Sequence, residues 1–171
     1  VTLNNLRGIH EPFNYSRKII GFDTFQGFSK VDDKDGSHRI IKQGAFSVTE
    51  NYEDYLTQVM EYHESECPLS HIKKNIIIKG DASVELKKYL DNHPETIIAF
   101  AYFDFDVYEP TKKCLELIKP YLTKGSIVGF DELNDPQFPG ETVALRETLG
   151  LNNVAIKRSK YSGIQSYFEF E

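Results

Sequence analysis

Short apolar runs rich in β-branched residues alternate along the chain with longer segments in which apolar residues recur at helical spacing. The short runs predict strands at 19–22, 75–79, 96–103 and 126–130, and an antiparallel hairpin of 154–157 with 165–170. The longer segments predict helices between the first four strands, and one more over 141–149. Strands that alternate with helices are typical of a parallel sheet with crossover helices.

Two segments shape this prediction further. The run 96–103 is apolar at nearly every position, so we expect a central strand that is buried on both faces. Residues 1–12 instead predict a helix with Leu3, Leu6 and Ile9 on one side. A doubly wound sheet normally begins with a strand. A strand before Val1 would complete the pattern, and because Val1 is not Met we expect a chain trimmed at its N-terminus.

The composition fits one domain and excludes several kinds of partner. A chain of 171 residues, 40% of them hydrophobic, can bury a sizeable core. Its 20 Lys and Arg are scattered among 26 Asp and Glu, which argues against binding to nucleic acid. We expect neither a membrane anchor, which needs an apolar run of ~18 residues, nor a secretory leader. Because Cys67 and Cys114 lie in separate predicted helices, we expect free thiols and a reducing compartment, the cytoplasm.

Acidic residues end four successive predicted strands. They are Asp23, Asp81, the pair Asp104 and Asp106, and the pair Asp131 and Glu132. In an open α/β sheet, ligands bind outside the carboxyl ends of the strands, so we expect these carboxylates to converge on one crevice. For each acid taken alone, capping of the following helix is an equally good interpretation.

The candidate metal ligands among these acids are Asp104, Asp131 and Glu132. Three carboxylates from two strand ends supply the hard oxygen ligands that Mg²⁺ prefers. Gathering that much like charge without a cation would be costly unless a carboxyl binds a proton. Asp106 is an alternative ligand or a general base, and strand alternation does not decide between it and Asp104.

Three other features bear on a ligand site. No two glycines occur in G-x-G spacing, so these residues contain no loop of the kind that cradles a dinucleotide or phosphate. Tyr108 lies past a strand end, where we expect its ring to face a ligand. The acidic, glycine-containing segment 31–36 fits both a mobile lid and a plain solvated loop.

Two stretches, 101–111 (AYFDFDVYEPT) and 125–132 (GSIVGFDE), resemble the macrocin O-methyltransferase family of class I S-adenosylmethionine (SAM)-dependent methyltransferases. Members show an Asp-x-Asp-x-Tyr-Glu-x-Thr stretch, then a helix, then a strand that ends in two acidic residues. The segment 21–28 (GFDTFQGF) is similar to the part of the family that follows its second strand, and 80–82 (GDA) is a weaker, general methyltransferase signal. Together these matches span residues 19–150.

The resemblance implies a fold and an activity. The fold is α/β, with a Rossmann-like, mostly parallel sheet and a C-terminal antiparallel hairpin. Residues 1–171 would form a single, partial SAM-dependent methyltransferase domain without its first central strand. The activity is Mg²⁺-dependent transfer of a methyl group from SAM to a sugar hydroxyl, on a deoxysugar or glycan of a natural product.

The resemblance also implies residue roles. Asp104, Asp131 and Glu132 match the metal ligands, and Asp104 or Asp106 would take the proton from the acceptor hydroxyl. Asp23 matches the acid that binds the SAM ribose, and Asp81 the position that commonly contacts adenine. The residues assigned to the cofactor-binding segments are Asp23, Thr24, Phe25, Gly80, Asp81 and Ala82.

Two departures from the family pattern matter. The second acid of the metal pair is often Asp, whereas this chain has the longer Glu132. The glycine-rich first motif has no counterpart here, and by the family order it would precede Val1. We therefore expect weak SAM binding by the 171-residue chain alone. Family members often form homo-oligomers, although no residue pattern here identifies the surface.

Two alternative functions remain open. Asp104-Phe105-Asp106 also fits the Asp-x-Asp motif of a metal-dependent glycosyltransferase that binds a sugar nucleotide. The absence of a glycine-rich loop fits a catalytically inactive binding domain. The order of acids at the four strand ends favours the methyltransferase.

Overall fold

The computed structural model describes all residues, 1–171, as an α/β arrangement of five α-helices and six β-strands. Every predicted strand and helix is present, with bounds that differ by a few residues. In chain order the elements are α1 (Thr2–His10), β1 (Ile19–Asp23), α2 (Tyr52–Ser65), β2 (Asn75–Lys79), α3 (Ala82–Asn92), β3 (Ile98–Phe103), α4 (Tyr108–Ile118), β4 (Leu122–Phe130), α5 (Gly140–Thr148), β5 (Lys157–Arg158) and β6 (Ser166–Glu169).

The strands form two sheets. β1 and β2 pair in parallel, and the second sheet has the order β3-β4-β6-β5. In the second sheet β3 and β4 are parallel, whereas β6 is antiparallel to both β4 and β5, as the predicted C-terminal hairpin requires. No strand pairs with the second edge of β1 or of β3. These two edges are where a further parallel strand could form hydrogen bonds.

The core lies between one face of the four-stranded sheet and helices α3, α4 and α5. Side chains alternate across the strands, so Val128 and Phe130 of β4 point to the same face as Phe168 of β6, and all three are fully buried. Phe103 of β3 stacks on Phe130 with ring centroids 5.1 Å apart. Leu115 of α4 is 1% exposed and joins the same cluster. This packing fixes the ends of β3 and β4 relative to each other.

The opposite face of the four-stranded sheet is open. Phe100 and Tyr102 of β3 are 45% and 40% exposed, and with Tyr167 of β6 they line a groove of about 330 Å³. The prediction that 96–103 is buried on both faces is therefore wrong for this chain. In this structure α2 packs against β2 and α1 packs against α2, so neither helix covers this face of β3.

The predicted apolar side of α1 is present but exposed, and one predicted strand start needs correction. On α1 the apolar residues Leu3, Leu6 and Ile9 face solvent, while Asn4 and Arg7 are buried. The polar face turns inward because Arg7 pairs with a carboxylate of α2. Strand β4 begins at Leu122, four residues before the predicted start.

Candidate functional site

The parallel pairing of β1 and β2 brings the two predicted cofactor-binding segments, 23–25 and 80–82, to one end of the sheet. The N–H of Gly80 donates a hydrogen bond of 2.9 Å to the carbonyl oxygen of Asp23. Gly80 has a φ of +147°, and a Cβ there would lie 2.7 Å from Cγ of Glu85. Only glycine suits this left-handed conformation and close approach.

Asp23 is the last residue of β1 and is exposed. Its Oδ1 accepts a hydrogen bond of 2.6 Å from the N–H of Phe25, which fixes the side chain at the strand end. Phe25 itself is buried and has a φ of +58°. Thr24 closes the turn, since its hydroxyl donates to the carbonyl oxygen of Gly27 at 2.9 Å. One carboxylate oxygen of Asp23, Oδ2, makes no hydrogen bond within the protein.

Asp81 caps α3. Its Oδ1 accepts hydrogen bonds from the backbone N–H and the hydroxyl of Ser83, at 2.9 and 2.7 Å. The capping interpretation, left open by the sequence, therefore holds for Asp81. The next residue, Ala82, is buried as the first residue of α3. Asp81 also lines a small polar cleft of about 70 Å³, which it shares with Lys30 and Lys113.

The remaining acids follow the adjacent parallel strands β3 and β4. The N–H of Asp131 donates a hydrogen bond of 3.0 Å to the carbonyl oxygen of Phe103, so the ends of β3 and β4 lie side by side. Asp104 and Asp106 follow Phe103, and Glu132 follows Asp131. The side chain of Asp131 is held by the hydroxyl of Tyr102, which donates to Oδ1 at 2.6 Å.

Partial desolvation, and then mutual repulsion, raise the pKa values of three of these carboxyls. Desolvation raises the pKa of Asp106 to about 6, with smaller contributions from the charges of Asp104 and Asp131. The pKa of Glu132 rises to about 7, first through desolvation and then through Asp106 and other nearby acids. The pKa of Asp104 is also raised, by desolvation and then by the charges of Asp131 and Asp23. The charge of Asp23 thus reaches Asp104, although β1 and β3 lie in different sheets.

The predicted metal ligands have suitable chemistry, but their side chains are not arranged around an ion in this structure. No three Asp, Glu, His or Cys side chains in the structure are arranged to hold a metal ion. Oε2 of Glu132 is buried without a hydrogen-bond partner, and desolvation, followed by the charges of nearby acids, raises the pKa of its carboxyl, an effect that a cation would oppose. The donor set therefore fits Mg²⁺, and the sharing of one ion by Asp104, Asp131 and Glu132 stays a prediction.

Tyr108 does not face a ligand site in this structure, contrary to the expectation from sequence. The residue is 7% exposed, and its hydroxyl donates a hydrogen bond of 2.6 Å to Oε2 of Glu147. Nζ of Lys34 lies 4.1 Å from the ring centroid and donates to the phenol oxygen at 2.9 Å. Tyr108 thus joins the loop before α2 to helices α4 and α5.

Sequence reasoning missed two buried carboxylates beside the site, Asp35 and Glu141, both with no measurable exposure. Asp35 lies in a 3₁₀ turn of the polar segment predicted as a lid or solvated loop. Glu141 lies in the first turn of α5, and burial raises its pKa to about 8. The one available signal was the position of Glu141 at the start of the helix that comes next in the chain after the acidic strand end.

Comparison with solved structures identifies the fold. The crystal structure of CalS11, described as a calicheamicin methyltransferase, superposes with a TM-score of 0.96 and 44% identity over 99% of this chain. The apo structure of CalS11, described as a TDP-rhamnose 3'-O-methyltransferase, superposes with a TM-score of 0.84 and 39% identity over 99% of this chain. The O-methyltransferase NovP superposes with a TM-score of 0.61 and 19% identity over 90% of this chain and 60% of its own length. This similarity is one of fold alone.

The chain spans 66% and 65% of the lengths of the two CalS11 chains. No family model matches the sequence, and no curated protein matches it.

None of the helices is long and apolar enough to cross a membrane. Both cysteines are free thiols, as predicted. The strand order, the acidic strand ends and these superpositions agree: the chain has the Rossmann-like α/β fold of class I SAM-dependent methyltransferases.

Proposed function

We propose that this chain belongs to an O-methyltransferase that transfers a methyl group from SAM to a hydroxyl of a small sugar-containing molecule. The observation that carries the proposal is the 44% identity to CalS11 over 99% of the chain. The acids at adjacent strand ends support it, because this is where an open α/β sheet binds its ligands. The macrocin O-methyltransferase family and a deoxysugar acceptor are the finer parts of the proposal.

The ends of β1 and β2 are assigned to SAM. Asp23 has one carboxylate oxygen free of protein hydrogen bonds, and it is suited to accept hydrogen bonds from the two ribose hydroxyls. Only Oδ1 of Asp81 is engaged as a helix cap, so its Oδ2 and the backbone of the 80–82 segment are suited to contact adenine. The unpaired edges of β1 and β3 leave room beside this site for a further strand.

The ends of β3 and β4 are assigned to the acceptor. In the transfer, a bond forms between the sugar oxygen and the methyl carbon, the sulfur–methyl bond breaks, and the hydroxyl proton moves to a carboxylate of this chain. Asp106 is our choice for that base, with Asp104 as a metal ligand. When bound, Mg²⁺ held by Asp104, Asp131 and Glu132 supplies Lewis-acid chemistry that lowers the pKa of a hydroxyl.

The two other functions considered are less well supported. The solved structures that superpose on this chain are methyltransferases, so a sugar-nucleotide glycosyltransferase is not favoured. An inactive binding domain would have no use for carboxyls such as those of Asp106 and Glu132, whose pKa values are raised by desolvation and by mutual repulsion.

The test is methyl transfer by the complete gene product that contains this chain. Transfer of radiolabelled methyl from SAM to a panel of nucleotide-activated and glycosidic deoxysugars is measured with Mg²⁺ and with EDTA. The Asp106→Asn variant is expected to lose roughly 10²- to 10⁴-fold in kcat. Asp91→Asn, an exposed acid on α3, is the matched control and is expected to retain activity. Absence of transfer to every sugar by a protein that binds SAM would overturn the proposal.

A further inference from the structure

Both acid-bearing connections of the site run directly into helices. The segment 104–107 leads from β3 to the first residue of α4, and 131–139 leads from β4 to the first residue of α5. The relative placement of the acids therefore depends on whatever holds the starts of these two helices together. Two buried carboxylates, from different parts of the chain, occupy that position.

Glu141 bridges the two connections through their backbones. Its Oε1 accepts a hydrogen bond of 3.1 Å from the N–H of Phe105, between Asp104 and Asp106. Its Oε2 accepts a longer one, of 3.5 Å, from the N–H of Glu132. One side chain thus contacts the backbone on both sides of the crevice, and the residue is completely buried.

Asp35 holds the start of α4 from the other side. Its Oδ1 accepts a hydrogen bond from the N–H of Tyr108, and its Oδ2 accepts one of 2.7 Å from the N–H of Asp32. Gly140 lies against this contact. A Cβ at Gly140 would be 2.5 Å from Oδ1 of Asp35 and 2.9 Å from the carbonyl oxygen of Asp106, so the starts of α4 and α5 touch here.

The backbone between these two carboxylates is strained. Asp106 has a φ of +59°, in the left-handed region that is unfavourable for a residue with a Cβ. Such a conformation persists where the surroundings determine it. The bonds to Phe105 and Tyr108, the neighbours on either side of Asp106 and Val107, do so here.

Neither carboxylate is paired with a cation. Asp35 and Glu141 take part in no salt bridge, although each is fully buried. Burying an unpaired carboxyl is unfavourable, and an apolar side chain would serve packing alone equally well or better. Their only partners are backbone N–H groups, and three of these belong to the connections that carry the candidate acids or to the helix that follows them.

We propose that Glu141 and Asp35 are positioning residues, which set the placement of Asp104, Asp106 and Glu132 by hydrogen bonding to the backbone of the two connections. Their catalytic consequence rests on the proposed methyl transfer, whereas their effect on the backbone does not. Neither residue needs to touch a substrate.

Amide hydrogen exchange tests the backbone effect without any assay of activity. With Glu141→Leu, exchange at the amides of Phe105 and Glu132 is expected to accelerate roughly tenfold, while that of Tyr108 is unchanged. With Asp35→Asn, exchange at Tyr108 or Asp32 is expected to accelerate instead, because an amide keeps only one acceptor oxygen. If Glu141→Leu does not fold, Glu141→Gln takes its place and is expected to free Glu132, which makes the longer bond. Unchanged exchange at these amides would overturn the proposal.

Kinetics of the complete gene product test the catalytic effect. Glu141→Gln is expected to lower kcat roughly 10- to 100-fold with KM for SAM within twofold, because the acids shift while the SAM site stays in place. Glu116→Gln on α4 and Asp33→Asn in the 3₁₀ turn, both exposed, are the matched controls. A variant with altered exchange and full kcat would overturn the proposal. If the wild-type protein transfers no methyl group, the proposed function fails, and the exchange result still decides the backbone effect.

Discussion

Nη2 of Arg7 donates hydrogen bonds of 2.8 and 3.0 Å to the two carboxylate oxygens of Glu64, inside the protein. Nζ of Lys74, which is fully buried, lies 2.6 Å from Oε1 of the same carboxylate, and Nδ2 of Asn75 donates to Oε2 at 3.1 Å. One anion thus compensates two buried cations. This network fastens α1 to α2 and to the start of β2, and it explains why α1 turns its polar face inward.

Replacement of Glu64 by Gln is expected to lower the free energy of unfolding by about 3 kcal/mol, because it leaves two buried cations without an anion. Urea unfolding followed by circular dichroism measures the loss. Glu61→Gln, on the exposed side of the same helix, is the control and is expected to change stability by less than about 0.5 kcal/mol. Equal stability of the two variants would mean that the network contributes nothing.

A methyl group at Gly140 is expected to be poorly tolerated. A Cβ there would lie 2.6 Å from the backbone nitrogen of Tyr108 and 2.5 Å from Oδ1 of Asp35, and both atoms are held by their mutual hydrogen bond. We expect Gly140→Ala to lower the free energy of unfolding by about 1–3 kcal/mol. Gly163→Ala, where a Cβ would meet nothing within 4 Å, serves as the control. A wild-type melting temperature for Gly140→Ala would show that the helix starts are not in tight contact.

The burial of Asp35 predicts a pH dependence of stability. Desolvation raises the pKa of this carboxyl above its ordinary value near 4, although hydrogen bonds from Asp32 and Tyr108 oppose the shift. The folded state therefore binds the proton more tightly than the unfolded state, and the stabilisation this gives is lost as the pH rises through the folded-state pKa. Relative to Asp35→Asn, the wild type is expected to lose stability as the pH rises above about 4.

Denaturation of both proteins between pH 3.5 and 6.5, values chosen to span that window, measures this difference. A constant difference across the range would contradict the assignment of a raised pKa to Asp35.

Asp23 is expected to contribute to SAM binding through its free carboxylate oxygen. Loss of a charged hydrogen-bond acceptor typically costs about 1.5–3 kcal/mol, so Asp23→Asn is expected to weaken SAM binding roughly 10- to 100-fold. Calorimetry with the complete gene product measures the SAM affinity. The control is Asp54→Asn, at an exposed acid in the first turn of α2. We also expect the 171-residue chain alone to bind SAM more weakly than about micromolar. Tight binding by that chain, or an unchanged affinity of Asp23→Asn, would contradict these assignments.

The sequence could predict the elements and the strand-end acids because these depend on local pattern. The run Ile76–Ile78 predicts β2, and a polar residue after a buried strand can be located without knowing its neighbours. Burial by distant parts of the chain could not be predicted. Asp35 lies in a polar, glycine-containing segment typical of a solvated loop, yet α4 and α5 cover it completely.

Exposure could not be predicted from local pattern either, as the apolar side chains of β3 and α1 show. Phe100 and Leu3 have the apolar character of core residues, and periodicity correctly assigns each to its element. Whether such a residue is covered depends on which other elements pack against that face, and local pattern carries no information about this. The convergence of Asp104, Asp131 and Glu132 depends on side-chain orientation, which is likewise not encoded in their spacing.

The most direct test of the central claim is to follow a deuterated methyl group from SAM to its acceptor. The complete gene product is incubated with methyl-deuterated SAM, Mg²⁺ and the deoxysugar nucleotides, and the product is examined by mass spectrometry and NMR. The account predicts one intact labelled methyl group on a sugar hydroxyl, with a matching amount of S-adenosylhomocysteine. Label that remains in SAM, or that appears anywhere other than a sugar oxygen, would contradict it.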